Sequence, residues 1–575
     1  MEVIKLAIEK IECMIGTQDI PVIQDQPKFV VDLLESNIII YGAAMSGKTN
    51  FIKLLITILH KKYREDTEQI FILDFGGALA DFGSLPLVGA YFDNANEEYV
   101  KRVFKLMEDQ LKDNIKKLKG KNYRDVKEDQ PIHTTLFIDN VNAFLDEPRY
   151  GAYQEKLAKL CRDGLSKGIT IVATASSTKG TASLINNFKQ KIALELPPDS
   201  YMDIFSHKVI PVGNNPGHGF ANVTVNTADN AATYPMQLAY ELQLNIADDI
   251  DDESFKANVK KYFGGRTVKK YLRFPDVLTL ELYDGFVRET GEKFEATPHS
   301  VSVGLDYTDC KPIKADFSST KCVAIYGKKG FGKTNLLKIL LKGFIEDPMY
   351  NFVLFDDGRG ELEKISEKIV PSRKKYISLH QEEIINFKEK IGSTALKEVN
   401  TKLSPMQLFI KNIHENFMDL SQVRRLTSPV LTEIFGTGAV LPSKAAVAEK
   451  KNVVFVLQSK FLYVNSIASK CFMEVILPSM VARADEMNWI FIFSDVKPIS
   501  ESETRENFHT TIGTAFLLDS IAEFVSERGG KSVFGGMDVK TLKEEYAPCE
   551  EGDGYYYSIE KDDLKKLKFI KDKEE

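Results

Sequence analysis

Two stretches of this 575-residue chain, GAAMSGKT at 42–49 and GKKGFGKT at 327–334, repeat the pattern GxxxxGK[ST]. Each follows a short apolar run of β character (Asn37 to Tyr41, Cys322 to Tyr326) and precedes an amphipathic helical pattern (Asn50 to His60, Asn335 to Phe344). Two matches with the same flanks mark an internal duplication. Each copy then passes through a charged turn into a second apolar strand that ends in acidic residues or glycine, QIFILDFGGALADF at 69–82 and NFVLFDDGRGELEKI at 351–365. Strand, loop, helix and returning strand require a parallel sheet, because the chain must cross over before it can pair again in the same direction.

In the first copy the alternation continues through a long amphipathic helix (Asn96 to Lys119), a strand TTLFIDN (134–140), a further helix and a strand GITIVATAS (168–176). In the second, apolar strands are expected at NVVFVLQ (452–458) and NWIFIFSD (488–495). This is the pattern of α/β domains with mainly parallel, doubly wound sheets. An acidic stretch from Asn245 to Val259, then Gly264, Gly265 and Pro275, interrupts the periodicity. The expected division is therefore a first module over 1–245, a linker over 246–300 and a second module over 301–575.

The repeated loop carries a specific chemistry. Its glycines let the backbone curl so that N–H groups converge on phosphate oxygens, the lysine adds a charge, and the last hydroxyl can ligate Mg²⁺. Gly42, Ala43, Ala44, Met45, Ser46, Gly47, Lys48 and Thr49 form the first expected cradle. Gly327, Lys328, Lys329, Gly330, Phe331, Gly332, Lys333 and Thr334 form the second. ATP with Mg²⁺ is the expected cofactor, with Thr49 and Thr334 as metal-facing hydroxyls.

Turnover asks for more: a carboxylate at the end of a neighbouring strand to hold the metal, and a second to orient or deprotonate water. LFIDN supplies Asp139, followed by Asn140, which can orient water but cannot take its proton. In the second copy VVFVLQ puts Leu457 and Gln458 where the acids belong, and Asp356 and Asp357 are the nearest substitutes, with a surface turn as their expected role. Arg162 and Arg483 are candidate arginine fingers acting on another subunit, against the plain reading of solvated helix charges. Hydrolysis is expected to be slow or absent at both sites. No histidine is given a catalytic role, and His218 reads as a loop residue.

Bulk properties exclude little further. The formal net charge of −7 provides no global basic field, which weakens the case for a nucleic-acid partner without excluding one, since local patches can bind phosphate; none is expected. Six cysteines lie far apart without metal-ligand spacing, which fits a reducing compartment. No apolar run reaches the ~20 residues needed to span a bilayer.

Three phrases carry a resemblance to a known family. FILDFGGALADFGSLPLVGAYF (71–92) resembles the LDFGGG segment that follows the P-loop in the FtsK/SpoIIIE superfamily of hexameric motor ATPases, in its type VII secretion branch, the EssC/EccC proteins. LFIDNVNAF (136–144) resembles the altered acidic strand of that branch's second ATPase module. VSVGLDYTDCKPIKADFSSTKCVAIYGKKGFGKTNLLKILL (301–341) is similar to the opening of the third. The likeness runs from about Val30 to Tyr557, with PGHGFANV (216–223) and EEGDGYYY (550–557) similar to closing segments of each module. Where the motors have a strand ending Ala-Thr-Gln, this chain has Ala173, Thr174, Ala175 and Phe493, Ser494, Asp495, a departure that argues against efficient turnover.

The resemblance implies two tandem RecA-like P-loop NTPase domains, the C-terminal pair of a membrane-anchored secretion motor. It further implies attachment to upstream ATPase and transmembrane regions at the cytoplasmic face of the membrane, hexameric assembly in the full protein, and WXG100-type substrates received by the terminal modules. The rival readings are a DNA translocase, which normally adds a winged-helix domain, and a non-hydrolysing nucleotide-gated scaffold. The residues after Tyr557 read as at most a mixed-charge helix.

Overall fold

The computed structural model describes residues 8–572 apart from 210–214, 246–252, 357–359, 379–404, 436–450, 459–470, 497–511, 529–532, 534–545 and breaks of one to three residues. The chain divides into two compact units, Met1–Arg273 and Phe274–Glu575.

The first unit is built on ten strands: β1 (Glu12–Asp19), β2 (Lys28–Asp32), β3 (Ile38–Tyr41), β4 (Glu68–Asp74), β5 (Val88–Asp93), β6 (His133–Asp139), β7 (Ile169–Ala175), β8 (Gln190–Ala193), β9 (His218–Asp229) and β10 (Ala232–Leu244). They lie side by side in the order β2-β1-β10-β9-β8-β3-β7-β6-β4-β5. From β8 to β5 the pairs are parallel. From β8 to β2 they are antiparallel. The parallel half carries the apolar runs read in the sequence: β3, β4, β6 and β7 are buried at every residue, as strands covered on both faces must be.

The second unit repeats this plan. β12 (Ser300–Asp306), β13 (Pro312–Asp316), β14 (Cys322–Tyr326), β15 (Asn351–Asp356), β16 (Lys374–Ser378), β17 (Val453–Gln458), β18 (Trp489–Asp495), β19 (Thr514–Leu517), β20 (Asp553–Ser558) and β21 (Asp563–Lys571) run in the order β13-β12-β21-β20-β19-β14-β18-β17-β15-β16. Position for position this is the order of the first sheet, so the duplication read from two loops extends across both sheets. A short strand, β11 (Leu278–Thr279), adds to β21.

Three sequence readings are corrected here. The tail after Tyr557 contains a strand, β21, paired with β20 and β12, whose middle residues, Leu567 and Phe569 among them, are buried while Lys565 and Lys571 nearer its ends stay partly accessible. His218 opens β9, its Nε2 2.7 Å from the Glu241 carboxylate on β10. The segment expected as a linker is divided between the units. Helix Glu253–Phe263 buries Phe255, Val259 and Phe263 in the first core, and residues 268–271 run along β5, where Val268 N–H donates to the Pro86 carbonyl (3.1 Å) and Tyr271 N–H to that of Gly89 (2.7 Å). Residues 246–252, the acidic part, lie outside the described residues.

Helix α1 (Lys48–Lys62) is held against this frame by a buried histidine at its last turn. His60 Nδ1 lies 2.8 Å from the Ile56 carbonyl, an acceptor only, so Nδ1 carries the proton. Nε2 accepts from the Leu87 N–H at 3.2 Å. Burial then holds the ring neutral and pushes its pKa down to about 4 from 6.5. The unfolded chain therefore takes up this proton first as pH falls. Stability is fully present above about 6.5 and declines towards 4, by roughly 3 kcal/mol at most. Denaturant unfolding at several pH values between 7 and 4 is expected to show a steeper loss for the wild type than for His60→Gln; parallel losses would remove His60 from the account.

Candidate nucleotide sites

The first loop leaves the end of β3 and enters α1. Its feet are tied to the surrounding strand ends: Gly42 N–H donates to the Ala175 carbonyl (3.0 Å), Ala43 N–H to that of Glu195 (2.8 Å), and Gly217 N–H to that of Ser46 (2.8 Å). A Cβ on Gly42 would lie 2.2 Å from Ser46 Oγ, so a larger residue at that foot would displace the hydroxyl. Met45 and Gly47 are left-handed (φ 64° and 110°), the alternation that turns successive N–H groups to one side. Ser46 is buried, and its hydroxyl has no hydrogen-bond partner among the described residues. Lys48 Nζ curls over the loop to donate to the Gly42 and Ala43 carbonyls, both at 2.6 Å. Burial lowers the lysine pKa, with Asp139 opposing. Thr49 is half-buried on the first turn, Ala44 is exposed, and the Met45 side chain is 94% exposed.

Asp139 ends β6, separated from the loop-bearing strand β3 by β7 alone. Thr174, at the end of β7, donates to Asp139 Oδ1 at 2.6 Å and accepts the Asn140 N–H at 2.7 Å. The Asp139 pKa is raised by burial and by Asp74, while Thr174 and Lys48 act in the opposite direction. Its other oxygen faces Gly76, where a Cβ would lie 2.3 Å from Oδ2. Asn140 is left-handed (φ 60°) at the entry to the short helix α2 (Val141–Leu145), and its Oδ1 is buried with no partner among the described residues. A strained polar residue with an unmet acceptor beside a phosphate cradle is where a ligand group is expected.

Two residues that sequence reading passed over organise this corner. Asp74, fully buried at the end of β4, accepts from the N–H groups of Gly76 (2.9 Å), Gly77 (2.7 Å) and Leu79 (2.8 Å), fixing the glycine turn over Asp139. Asn142 accepts from Ser176 N–H (2.7 Å) and donates to the Lys179 carbonyl (2.9 Å), tying the segment after β7 to α2. The acid-then-two-glycines spacing of LDFGG signals the first; nothing in the sequence marks the second. Arg162 lies at the opposite edge of the sheet, just before β7 begins, paired with Asp163 at 3.0 Å and largely exposed, so it does not meet the cradle of its own module. Arg483 is placed likewise before β18, its guanidinium 6.0 Å from the Trp489 ring.

The second loop repeats the geometry. Gly330 and Gly332 are left-handed (φ 91° and 89°) at the positions of Met45 and Gly47. Lys333 Nζ donates to the Gly327 (2.7 Å) and Lys328 (2.9 Å) carbonyls, with Thr334 half-buried beside it. Lys328 and Lys329 are exposed and Phe331 is half-buried. The footing differs in one respect. Lys328 N–H donates to the Asp519 carboxylate (2.9 Å) where Ala43 meets a backbone carbonyl, and Asp519 is paired with buried Arg528 at 2.6 Å. The Lys328 ammonium meets the Glu523 carboxylate.

Strand register corrects the placement of the missing acids. Ile138 pairs Ala173 and Gln458 pairs Ser494, so Gln458, with Ser494 in the place of Thr174, occupies the Asp139 position. The expected Leu457–Gln458 pair was set one residue early, and Ser459 lies outside the described residues. Asp356 is not on a surface turn. It is fully buried and accepts from Gly360 (3.2 Å) and Leu362 (3.0 Å) N–H groups, the counterpart of Asp74. Asp357 is outside the described residues.

Both cradles, with their left-handed alternation and centred lysine, fit a bound phosphate chain. Residues 9–197 match the FtsK/SpoIIIE family. The chain is 22% identical over 451 residues to the type VII secretion system protein EssC of Staphylococcus aureus strain MRSA252, covering 75% of this chain and 29% of that protein. It is 25% identical over 363 residues to the ESX secretion system protein EccC of Geobacillus thermodenitrificans, covering 60% and 23%. Both of these similar proteins are EssC/EccC proteins. The chain spans less than a third of these relatives' length. The fold agrees with solved structures: EssC ATPases 2 and 3 from Geobacillus thermodenitrificans (TM-score 0.60, 17% identity, covering 99% of this chain and 98% of that one). Thermomonospora curvata EccC ATPases 2 and 3, solved in complex with a signal sequence peptide, gives the same TM-score of 0.60 at 15% identity, covering 100% and 94%. Like these EssC/EccC pairs in fold, the chain is two tandem RecA-like α/β domains.

Two stability measurements probe this geometry. Gly76→Ala is expected to cost about 1–3 kcal/mol in denaturant unfolding, because the added methyl displaces the Asp139 carboxylate. The cost should largely vanish in an Asp139→Ala background, and a cost that persists there would place the clash elsewhere. Met45→Gly should stabilise by about 0.5 kcal/mol, since it relieves a left-handed non-glycine whose side chain packs against little.

Proposed function

We propose that the chain is a pair of ATP-binding regulatory modules of a type VII secretion motor, with weak or no hydrolysis, the second site more impaired than the first. The observation that carries this reading is the contrast between two equivalent cradles and two unequal acid positions. Asp139 stands one strand from Lys48 in the first module, while Gln458 stands in that place in the second.

Within each module the loop N–H groups and Lys48 or Lys333 bind the phosphates. Thr49 with Asp139 at the first site, and Thr334 at the second, are the residues to hold Mg²⁺, which when bound with ATP offsets phosphate charge. Thr174 keeps Asp139 oriented through its hydroxyl. Asn140 can orient water but has no proton affinity to remove its proton, so the first site lacks a base. The modules would join upstream ATPase and transmembrane parts at the cytoplasmic face of the membrane, in a hexamer. They would receive WXG100-type substrates; the signal sequence peptide bound to the Thermomonospora relative supports that role. Among the described residues no helix is long and apolar enough to cross a membrane.

Nucleotide titration with phosphate release followed in the same samples tests the reading. Two binding events are expected, one removed by Lys48→Ala and the other by Lys333→Ala, with release slow or undetectable. Fast release abolished by Lys48→Ala would make the first module a working motor. Loss of neither event in either variant would overturn the site assignments.

A further inference from the structure

The acid missing from the second module's metal position has a structural counterpart elsewhere in that corner. Gln458 is buried at the end of β17 and donates through Nε2 to Glu361 Oε2 at 3.1 Å. Glu361 belongs to the turn after β15, and that turn corresponds to the LDFGG turn of the first module. Asp74 and Asp356 occupy the matching strand ends and accept the N–H groups of the turns that follow. In the first module this turn brings Gly76 against Asp139, leaving room for the carboxylate but adding no charge. In the second, the turn brings a carboxylate against an amide. Each corner thus holds one carboxylate at this point, from the strand end in the first module and from the turn in the second.

We propose that Glu361 supplies the metal-facing carboxylate of the second nucleotide site, with Gln458 as its positioning residue. This rests on the reading of Gly327–Thr334 as an ATP site. Mg²⁺ bound with ATP takes most of its shell from phosphate oxygens and water and needs only one or two protein carboxylates, so a single displaced acid suffices. Asp356 is not that acid, because its two oxygens are engaged by Gly360 and Leu362 N–H groups inside the fold. Glu361, half-buried at the edge of the same strand end, is placed to serve. A carboxylate here supports divalent-metal binding without restoring a water-activating base, which agrees with a site that holds nucleotide without turning it over.

The test isolates the second site in a Lys48→Ala background and measures ATP affinity by equilibrium titration, once with Mg²⁺ and once with EDTA. The readout is the ratio of the two. Glu361→Gln is expected to cut that ratio about tenfold, the lower end of what loss of a metal-site group costs, with affinity in EDTA held or improved. The swap Glu361→Gln with Gln458→Asp returns the acid to the strand end, where the first module carries it, and should recover the ratio, which a merely structural loss would not. An unchanged ratio in Glu361→Gln, or equal weakening with and without Mg²⁺, overturns the inference while leaving the ATP site standing. Absence of ATP binding in Lys48→Ala itself, in a sample whose circular dichroism matches wild type, overturns both.

Discussion

Both modules depend on one backbone constraint: between a fully buried strand and an amphipathic helix, the chain must turn left-handed at two alternate residues. Met45 and Gly47 satisfy it in one copy and Gly330 and Gly332 in the other. With those angles the loop N–H groups converge and the following lysine folds over its own carbonyls. Everything else in each corner is arranged round that curl. Strand β7 separates β3 from β6, which sets the distance at which Asp139 faces Lys48, and β18 does the same between β14 and β17.

The duplication has preserved frame and changed chemistry. Ten strands keep their order in both units, yet the residues at matching strand ends diverge. Thr174 and Asp139 become Ser494 and Gln458, and the carbonyl that braces the first loop is replaced by the Asp519 carboxylate, itself neutralised by Arg528. A strand end can change side chain without disturbing the ladder, because its backbone bonds are independent of the residue. The fold therefore tolerates exchange of the strand-end side chains while keeping the geometry of the loop.

Polar burial decides how stiff each corner is. Asp74 spends both oxygens on three N–H groups and Tyr91, and Asp356 spends its two on Gly360 and Leu362. Buried carboxylates of this kind are stable only because they are fully satisfied. Among the described residues, Ser46 Oγ and Asn140 Oδ1 are exceptions beside the first loop, each buried without a hydrogen-bond partner.

From the sequence alone, loop spacing with its flanking apolar strands determined two P-loop α/β modules and placed both cradles, since a short local motif dictates local backbone geometry. It also located Asp139 at the end of its strand, because strand ends are legible from where apolar runs stop. The tertiary structure decided what depended on register and on distant contacts. It moved the missing acid from Leu457 to Gln458, turned the charged tail into strand β21, divided the supposed linker between two units, and took Asp356 from surface to core. It also brought Glu361 to Gln458 across 97 residues of chain. Hydrogen-bond register and side-chain pairing are set between segments far apart in sequence, and no pattern within either segment encodes them.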